Sequence, residues 1–213
     1  MDGNVSFVID ERIKRTINSL KKNNIEGYYV KDKKQLTEKI KSLLKKGDTV
    51  AVGGSMTLFE TGIIDLLRNG DYNFIDRYEE NLKKEDMKKI FRKSFLVDDY
   101  LVSSNAITEK GEIYNVDGNG NRVAAMIYGP DNVIIVIGYN KIVKDLDEAM
   151  ERCSNISAPA NAKRLNLKTP CAVLGECMDC DSEGRICNYY TVIRRQNKNG
   201  RIKVIIVGEE LGY

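Results

Sequence analysis

The chain of 213 residues contains no histidine, no long apolar run and no marked excess of either charge. Because histidine is the side chain whose unperturbed pKa lies nearest neutral pH, the usual histidine general base is excluded. The longest strongly apolar run, residues 133–137, is far too short to cross a bilayer. The 34 basic and 31 acidic residues nearly cancel and are interleaved along predicted helices, which argues against a nucleic-acid-binding surface.

We expect no secretory signal, because the first ten residues show no basic region followed by an apolar stretch. We therefore expect a cytoplasmic protein without membrane or nucleic-acid partners. Cytosolic thiols stay reduced, so clustered cysteines in such a protein bind metal or act in catalysis more often than they form disulfides.

Amphipathic helical stripes alternate with short apolar segments along most of the sequence. This order predicts an α/β fold with a mostly parallel sheet flanked by helices. The run at 133–137 does not alternate between apolar and polar residues, which is typical of a strand covered on both faces. Turn signals at Lys110-Gly111 and Asn199-Gly200 predict antiparallel hairpins at the edge of the sheet.

The same patterns divide the chain into three regions. Residues 1–153 form the predicted α/β core, 154–188 a cysteine-containing appendage without sustained periodicity, and 189–213 a C-terminal hairpin that packs on the core. Cys153 lies on an apolar helical stripe with Leu146 and Met150, so its side chain is expected in the core rather than in a metal site.

Two polar segments follow predicted strands, where open α/β sheets bind ligands. Gly53, Gly54, Ser55 and Thr57 form the first segment, and its N–H groups at a helix start could hold an anion. The alternative is a helix capped through Thr57 and Glu60, whose spacing fits a capping box. The second segment, residues 103–108, follows the predicted strand at 100–102. The alternative for this segment is an ordinary turn in which serine and asparagine satisfy backbone groups.

The segment from Asn115 to Arg122 is longer and more polar than a plain turn requires. Arg122 is the cation of this segment that could hold a carboxylate or phosphate with two parallel hydrogen bonds. The alternative is an extended hairpin exit with Arg122 at the surface.

Four of the five cysteines lie within 17 residues, spaced C-x5-C-x2-C-x6-C: Cys171, Cys177, Cys180 and Cys187. Four thiolates with varied spacing are typical of an iron–sulfur cluster, and a 4Fe–4S cluster is the leading interpretation. A structural zinc site is the alternative, although it commonly uses two C-x2-C pairs and only one is present. Reduced thiols or a labile disulfide in a flexible segment remain the third interpretation.

Residues 104–108, 115–130 and 133–143 together resemble the lactate-utilisation (LUD) domain family, and Gly53–Leu58 and 152–161 fit as well. The resemblance covers residues 8–195 and implies a Rossmann-like fold akin to ribose-5-phosphate isomerase, CoA transferases and 5-formyltetrahydrofolate cyclo-ligase. It further implies association with iron–sulfur proteins that oxidise lactate to pyruvate. The pocket residues it implies are Gly53, Gly54, Ser55, Thr57, Asn105, Asp117, Gly118, Asn119, Asn121, Arg122 and Lys141.

The sequence thus predicts a component of a lactate or organic-acid utilisation system that binds a small anionic metabolite and an iron–sulfur cluster, with iron–sulfur oxidoreductase subunits as partners. An autonomous enzyme of the CoA-transferase or cyclo-ligase type is the first alternative. CoA transferases of related fold use a glutamate, which makes Glu60 the candidate catalytic residue. A metal- or redox-sensing regulatory module is the second alternative.

Overall fold

The structure, a computed structural model, describes residues 2–213, so Met1 of the predicted core lies outside the described residues. Its helices are α1 (Gly3–Lys22), α2 (Lys33–Leu43), α3 (Met56–Glu60), α4 (Ile63–Asn69), α5 (Lys84–Lys93), α6 (Asn121–Tyr128), α7 (Leu146–Arg152), α8 (Ala158–Arg164) and α9 (Pro170–Leu174). Its strands are β1 (Glu26–Val30), β2 (Thr49–Val52), β3 (Asn73–Ile75), β4 (Asp99–Val102), β5 (Ala106–Thr108), β6 (Ile113–Asp117), β7 (Asn132–Gly138), β8 (Ile142–Val143), β9 (Tyr189–Ile193) and β10 (Ile202–Val207).

A parallel sheet forms the centre of the molecule. Within residues 2–213 it contains six strands in the order β1-β10-β7-β4-β2-β3, and every neighbouring pair is parallel. The β7 side chains alternate between two cores: Val133 and Ile135 pack with α1, whereas Ile134 and Val136 pack with α2 and α4. The predicted burial of this strand on both faces is confirmed, as is the α/β fold class.

A second sheet lies beside the first and joins β8, β5, β6 and β9 in that order. Strands β5 and β6 form an antiparallel hairpin through the predicted turn, where Gly111 has a φ of 80° that other residues rarely adopt. Strand β9 adds antiparallel to β6, and β8 adds parallel to β5. The predicted antiparallel hairpin at the sheet margin is therefore present.

The C-terminal hairpin predicted at 189–213 is wrong. Gly200 does occupy a turn with a φ of 77°, but the strands on either side of it enter different sheets. Strand β9 pairs with β6, whereas β10 lies between β1 and β7 in the parallel sheet. Because β10 buries apolar side chains on both faces, as Val204 and Ile205 illustrate, a central position in the parallel sheet is more favourable than an exposed hairpin.

Cys153 is buried, as predicted, in a small cluster between α7 and the second sheet. Met150, which was expected on the same stripe, is exposed, and the helix passes into a π-helical turn at Cys153–Ser157. Among residues 2–213, every helix falls short of the length and apolarity that a bilayer crossing requires.

Candidate functional site

A polar cavity of about 320 Å³ opens where the parallel strands end. Its walls come from the segments that follow β2, β3, β4 and β7, from the loop between β6 and α6, and from α8. The carboxyl ends of parallel strands meet at one edge of a sheet, so residues distant in sequence converge there. The topology thus explains why the polar segments after separate strands share one cavity.

The cavity gathers most of the predicted ligand-binding residues. It is lined by Gly54, Ser55, Asn105, Asp117, Gly118, Asn119, Asn121, Arg122 and Lys141. Gly53 and Thr57 lie directly behind this lining. A Cβ atom at Gly53 would lie 2.7 Å from Val102 Cγ2 and 3.2 Å from Arg122 Cγ, so only glycine fits there without displacement.

Lys141 is the most unusual of these residues. It follows β7 in a 3₁₀ turn at Tyr139–Lys141 and is only 2% exposed. Its ammonium group donates hydrogen bonds to Thr57 Oγ1 at 3.1 Å and Ser103 Oγ at 3.2 Å. Lys141 forms no salt bridge with any residue among 2–213, although buried lysines are normally paired with a carboxylate.

This environment lowers the pKa of Lys141 to about 7. Burial is the largest cause, because it removes water from the charged form. The guanidinium groups of Arg152 and Arg122 lower the pKa further, and only Glu60 opposes them. A substantial fraction of Lys141 is therefore the neutral amine at physiological pH.

Arg122 is bound by protein groups rather than left available for a ligand. Its Nε donates to Asp117 Oδ2 at 3.1 Å, and this pair is mostly buried. Its remaining donors bind the Ser103 carbonyl, Asn115 Oδ1, Asn105 Oδ1 and the Val116 carbonyl. Because all five guanidinium N–H groups are used, Arg122 fixes the loop between β6 and α6 and contributes charge to the cavity without a free donor.

Arg77 and Arg164 are the cations that the sequence analysis missed. Arg77 follows β3 and lines the cavity, and its buried Nε has no hydrogen-bond acceptor among residues 2–213. Arg164 at the end of α8 binds Asn161 Oδ1 and keeps part of its guanidinium free. The sequence feature that could have identified Arg77 is its position directly after a strand. The same feature identified the segments after β2 and β4.

Glu60 does not line the cavity. The N-cap of α3 is Ser55, whose Oγ accepts from the Leu58 N–H at 3.3 Å, so the predicted Thr57–Glu60 capping box is wrong. Thr57 instead lies inside the first turn, where it binds Lys141. Glu60 is exposed and accepts the Gly212 N–H at 2.7 Å, which ties the C-terminal segment across α3.

The C-terminal segment covers one side of the cavity. Leu211 is buried and its N–H donates to Asn140 Oδ1 at 3.1 Å. Gly212 lies against Lys141, since a Cβ atom there would be 3.3 Å from Nζ. The Tyr213 side chain lines the cavity, a role that no sequence motif indicated.

The four clustered cysteines surround a second, smaller cavity. Burial and the neighbouring thiols of Cys177 and Cys171 raise the pKa of Cys187, whereas a hydrogen bond from Ser182 lowers the pKa of Cys180. Arg185 donates to the Cys180 carbonyl at 2.7 Å and to the Cys187 carbonyl at 3.0 Å, so it braces this segment.

The number and type of these ligands fit a metal group, but they are not yet arranged around one. Within residues 2–213, no three histidine, cysteine or acidic side chains stand in a metal-binding arrangement. Four thiols facing one cavity are the set that an iron–sulfur cluster or a structural zinc ion uses. Residues 175–188, which carry three of these thiols, contain neither helix nor strand.

The two cavities share a wall. Ile186 lines both, and Gly118 packs against its backbone, with Ile186 Cα 3.4 Å from the position of a Cβ at Gly118. The Asn188 N–H donates to the Asp117 carbonyl at 3.1 Å, and Asn188 Nδ2 donates to the Gly118 carbonyl at 3.1 Å. The cysteine segment is thereby fastened to the loop that Arg122 holds.

Of three similar solved structures, the first supports the fold. A DUF162 family protein from Deinococcus radiodurans has a TM-score of 0.51 at 15% identity, over 95% of this chain and 98% of that one. The tetrameric eIF2B-beta2-delta2 complex from C. thermophilum gives 0.42 at 14% identity, over 82% of this chain and 55% of that one. A Pseudomonas malonate decarboxylase hetero-tetramer has a TM-score of 0.37 at 14% identity, over 87% of this chain and 39% of that one.

Among curated protein sequences, no match was found. The sequence profile of the LUD domain, in contrast, matches residues 13–207, which include the parallel sheet, the cavity-lining loops and the cysteine segment. This match agrees with the resemblance carried by the segments after β4 and β6. The chain therefore belongs to the LUD domain family.

Proposed function

We propose that this protein binds a small organic anion in the cavity at the carboxyl ends of the parallel strands and serves lactate or organic-acid utilisation. The observation that carries the proposal is Arg77, which lines the cavity, stacks its guanidinium over the Phe91 ring at 4.8 Å and forms no hydrogen bond or salt bridge among residues 2–213. Its Nε is closed off by the protein, so the terminal N–H groups are the donors that a carboxylate in the cavity would meet.

The other charges of the cavity favour the same ligand class. Lys141 and Arg164 line it together with Arg77, whereas its acid, Asp117, is already paired with Arg122. The net field inside the cavity therefore favours an anion. A volume of about 320 Å³ suits a small metabolite.

We further propose that Cys171, Cys177, Cys180 and Cys187 hold an iron–sulfur cluster, with structural zinc as the alternative. Support comes from the four thiols that face one cavity beside Arg185, a cation that would offset the charge of an anionic cluster. A cluster would supply one-electron transfer when bound. Iron–sulfur oxidoreductase subunits are the partner class that this chemistry would serve.

An autonomous CoA-transferase mechanism through Glu60 is less well supported. The Glu60 carboxylate is exposed, lies outside the cavity lining and accepts a hydrogen bond from the Gly212 N–H. A nucleophilic carboxylate would have to face the bound substrate.

A panel of ligands tests the proposal for the cavity. Thermal unfolding would be followed with lactate, pyruvate, CoA, ATP and folate, each over a concentration series. Because a ligand of the native state raises the unfolding temperature with concentration, lactate or pyruvate should stabilise the protein. Stabilisation by CoA, ATP or folate alone would favour the enzyme alternatives and overturn the proposal.

Metal analysis of protein purified without oxygen tests the cysteine site. An iron–sulfur cluster predicts bound iron, acid-labile sulfide and a broad visible absorption that disappears on reduction or exposure to air. One zinc ion per chain and no colour would establish the structural alternative. If the protein contains neither iron nor zinc, the proposal that the four cysteines hold a metal group is overturned.

A further inference from the structure

Lys141 combines three features that its role as a plain anion ligand does not require. It is buried at the cavity wall, it has no carboxylate partner among residues 2–213, and it bonds to two hydroxyl groups. A lysine that only attracted an anion would serve better exposed or beside a structural acid, because its charge would then persist at all physiological pH values. Desolvation beside other cations is instead how proteins make a lysine amine nucleophilic.

From this geometry we infer that Lys141 forms a covalent imine with the carbonyl carbon of a 2-oxo acid bound in the cavity. The inference rests on the proposed function and narrows its substrate class to anions that carry a carbonyl beside the carboxylate. Arg77, which has a free donor in the same cavity, would hold the carboxylate and so direct the adjacent carbonyl. Neither an oxidant nor a reductant is required.

The reaction balances with groups that the site contains. The lone pair of the neutral Nζ forms a bond to the carbonyl carbon, and the carbonyl π electrons move to oxygen, which takes a proton to give a carbinolamine. Nitrogen then gives up its first proton, the hydroxyl takes a second proton, and the C–O bond breaks so that water leaves as the C=N bond forms. Loss of the second nitrogen proton gives the imine, so two protons pass in all from nitrogen to oxygen. Ser103 and Thr57 hydroxyls lie 3.3 Å apart and both contact Nζ, so they are placed to carry these protons.

Neighbouring elements also favour the neutral form of Lys141. Arg152 approaches from α7 and Arg122 from α6, and both disfavour a third positive charge, while Glu60 on α3 is the acid that opposes them. Arg152 is itself fixed by the Asn105 carbonyl at 2.8 Å and Ser157 Oγ at 2.8 Å. The cationic surroundings are therefore a permanent part of the site.

Borohydride trapping tests the inference on the full chain. Pyruvate, 2-oxobutyrate and 2-oxoglutarate would be incubated separately with the protein, reduced with sodium borohydride, and followed by intact mass and peptide mapping. We expect one carboxyalkyl adduct per chain, located at Lys141, with a yield that rises between pH 6 and pH 8. Surface lysines, whose pKa lies near 10.4, would need a higher pH.

Variants and a control ligand keep the result interpretable. Lys141→Arg retains a cation but cannot form the imine, so its adduct should vanish. Lys144→Arg alters an exposed lysine three residues along and should leave the adduct unchanged. Lactate, which carries a hydroxyl in place of the 2-oxo group, should bind without being trapped.

Two failures can be told apart. If pyruvate stabilises the protein but none of the three acids yields an adduct at Lys141, or if adducts spread over many lysines, the imine is overturned while the proposed function stands. If neither lactate nor any of the 2-oxo acids binds, the proposed function itself fails.

Discussion

The ligand cavity and the cysteine segment meet at Ile186, yet they are held in opposite ways. Most cavity side chains follow directly from buried strands or short helices, and Arg122 alone makes five hydrogen bonds to protein acceptors there. Residues 175–188 contain no regular structure, and their order depends on Arg185 and on the bonds of Asn188 to the cavity loop. The cavity is organised by the fold, whereas the cysteine segment is held by side-chain hydrogen bonds from Arg185 and Asn188.

The contrast predicts which region survives the loss of metal. Replacing Cys177 and Cys180 by serine should remove all bound metal, because a four-thiolate site cannot hold a cluster with two ligands. Ligand binding in the cavity should persist, since its cations are carried by strand ends. Elemental analysis and calorimetry on Cys177→Ser/Cys180→Ser measure both properties.

The matched control for the cysteine variants is Cys153→Ala, which removes a thiol from the core and should leave the metal content unchanged. Full metal retention in the double variant would show that these cysteines are not the ligands. Loss of ligand binding together with metal would show that the two regions are one unit.

Arg122→Ala should produce the largest loss of folding stability. It leaves the buried Asp117 carboxylate unpaired, and breaking a buried ion pair from one side costs about 3–5 kcal/mol. Urea unfolding would measure the free energy change. Arg15→Ala, which breaks a more exposed pair with Glu109, should cost at most about 1 kcal/mol. Equal losses of unfolding free energy in the two variants would show that Arg122 does not fix the loop between β6 and α6.

Lys141→Met should change how stability depends on pH. The folded pKa of Lys141 is about 7 and its ordinary value is 10.5, so the unfolded chain binds more protons between these values. The contribution of Lys141 to the free energy of unfolding of the wild-type protein therefore rises as pH increases from 7 toward 10.5. The variant should be more stable than wild type at pH 6, and this advantage should shrink as pH rises above 7. A difference that stays constant from pH 6 to pH 9 would contradict the neutral amine.

Ile186→Ala should have the smallest effect, but it acts on both regions. Removing a partly buried side chain should cost on the order of 1 kcal/mol, below the range for a fully buried isoleucine. Because Ile186 lines both cavities, metal retention and ligand affinity should weaken together. Ile127→Ala, an exposed position on α6, provides the control. If only one of the two properties changes, the shared wall does not couple the regions.

The sequence predicted the elements whose patterns are local. The unbroken apolar run in β7 identified a buried parallel strand, and polar residues after strands identified most of the cavity. Strand β10 was misplaced because its partners β1 and β7 are distant in sequence, and the Asn199-Gly200 turn gives no information about which sheet follows. Arg77 was missed because it follows β3 as a single cation, without the run of glycine, serine or asparagine that marks the segments after β2 and β4.

Sequence alone also could not assign the state of two side chains. Arg122 was expected to hold the anion; it lines the cavity, but only the coordinates show that its donors are satisfied by protein groups. The sequence does not show that Lys141 lacks a carboxylate partner. Which side chains surround its ammonium group depends on how α3, α6 and α7 pack around the end of β7.

Calorimetric titration of pyruvate and lactate into wild-type protein and Arg77→Ala tests the central claim most directly. The terminal N–H groups of Arg77 have no acceptor among residues 2–213, and a hydrogen bond to a charged group contributes about 1.5–3 kcal/mol, so the variant should bind at least about tenfold more weakly. Arg92→Ala, an exposed arginine on α5, should bind as wild type does. Equal affinity of Arg77→Ala and wild type would contradict the account of the cavity as an organic-anion site.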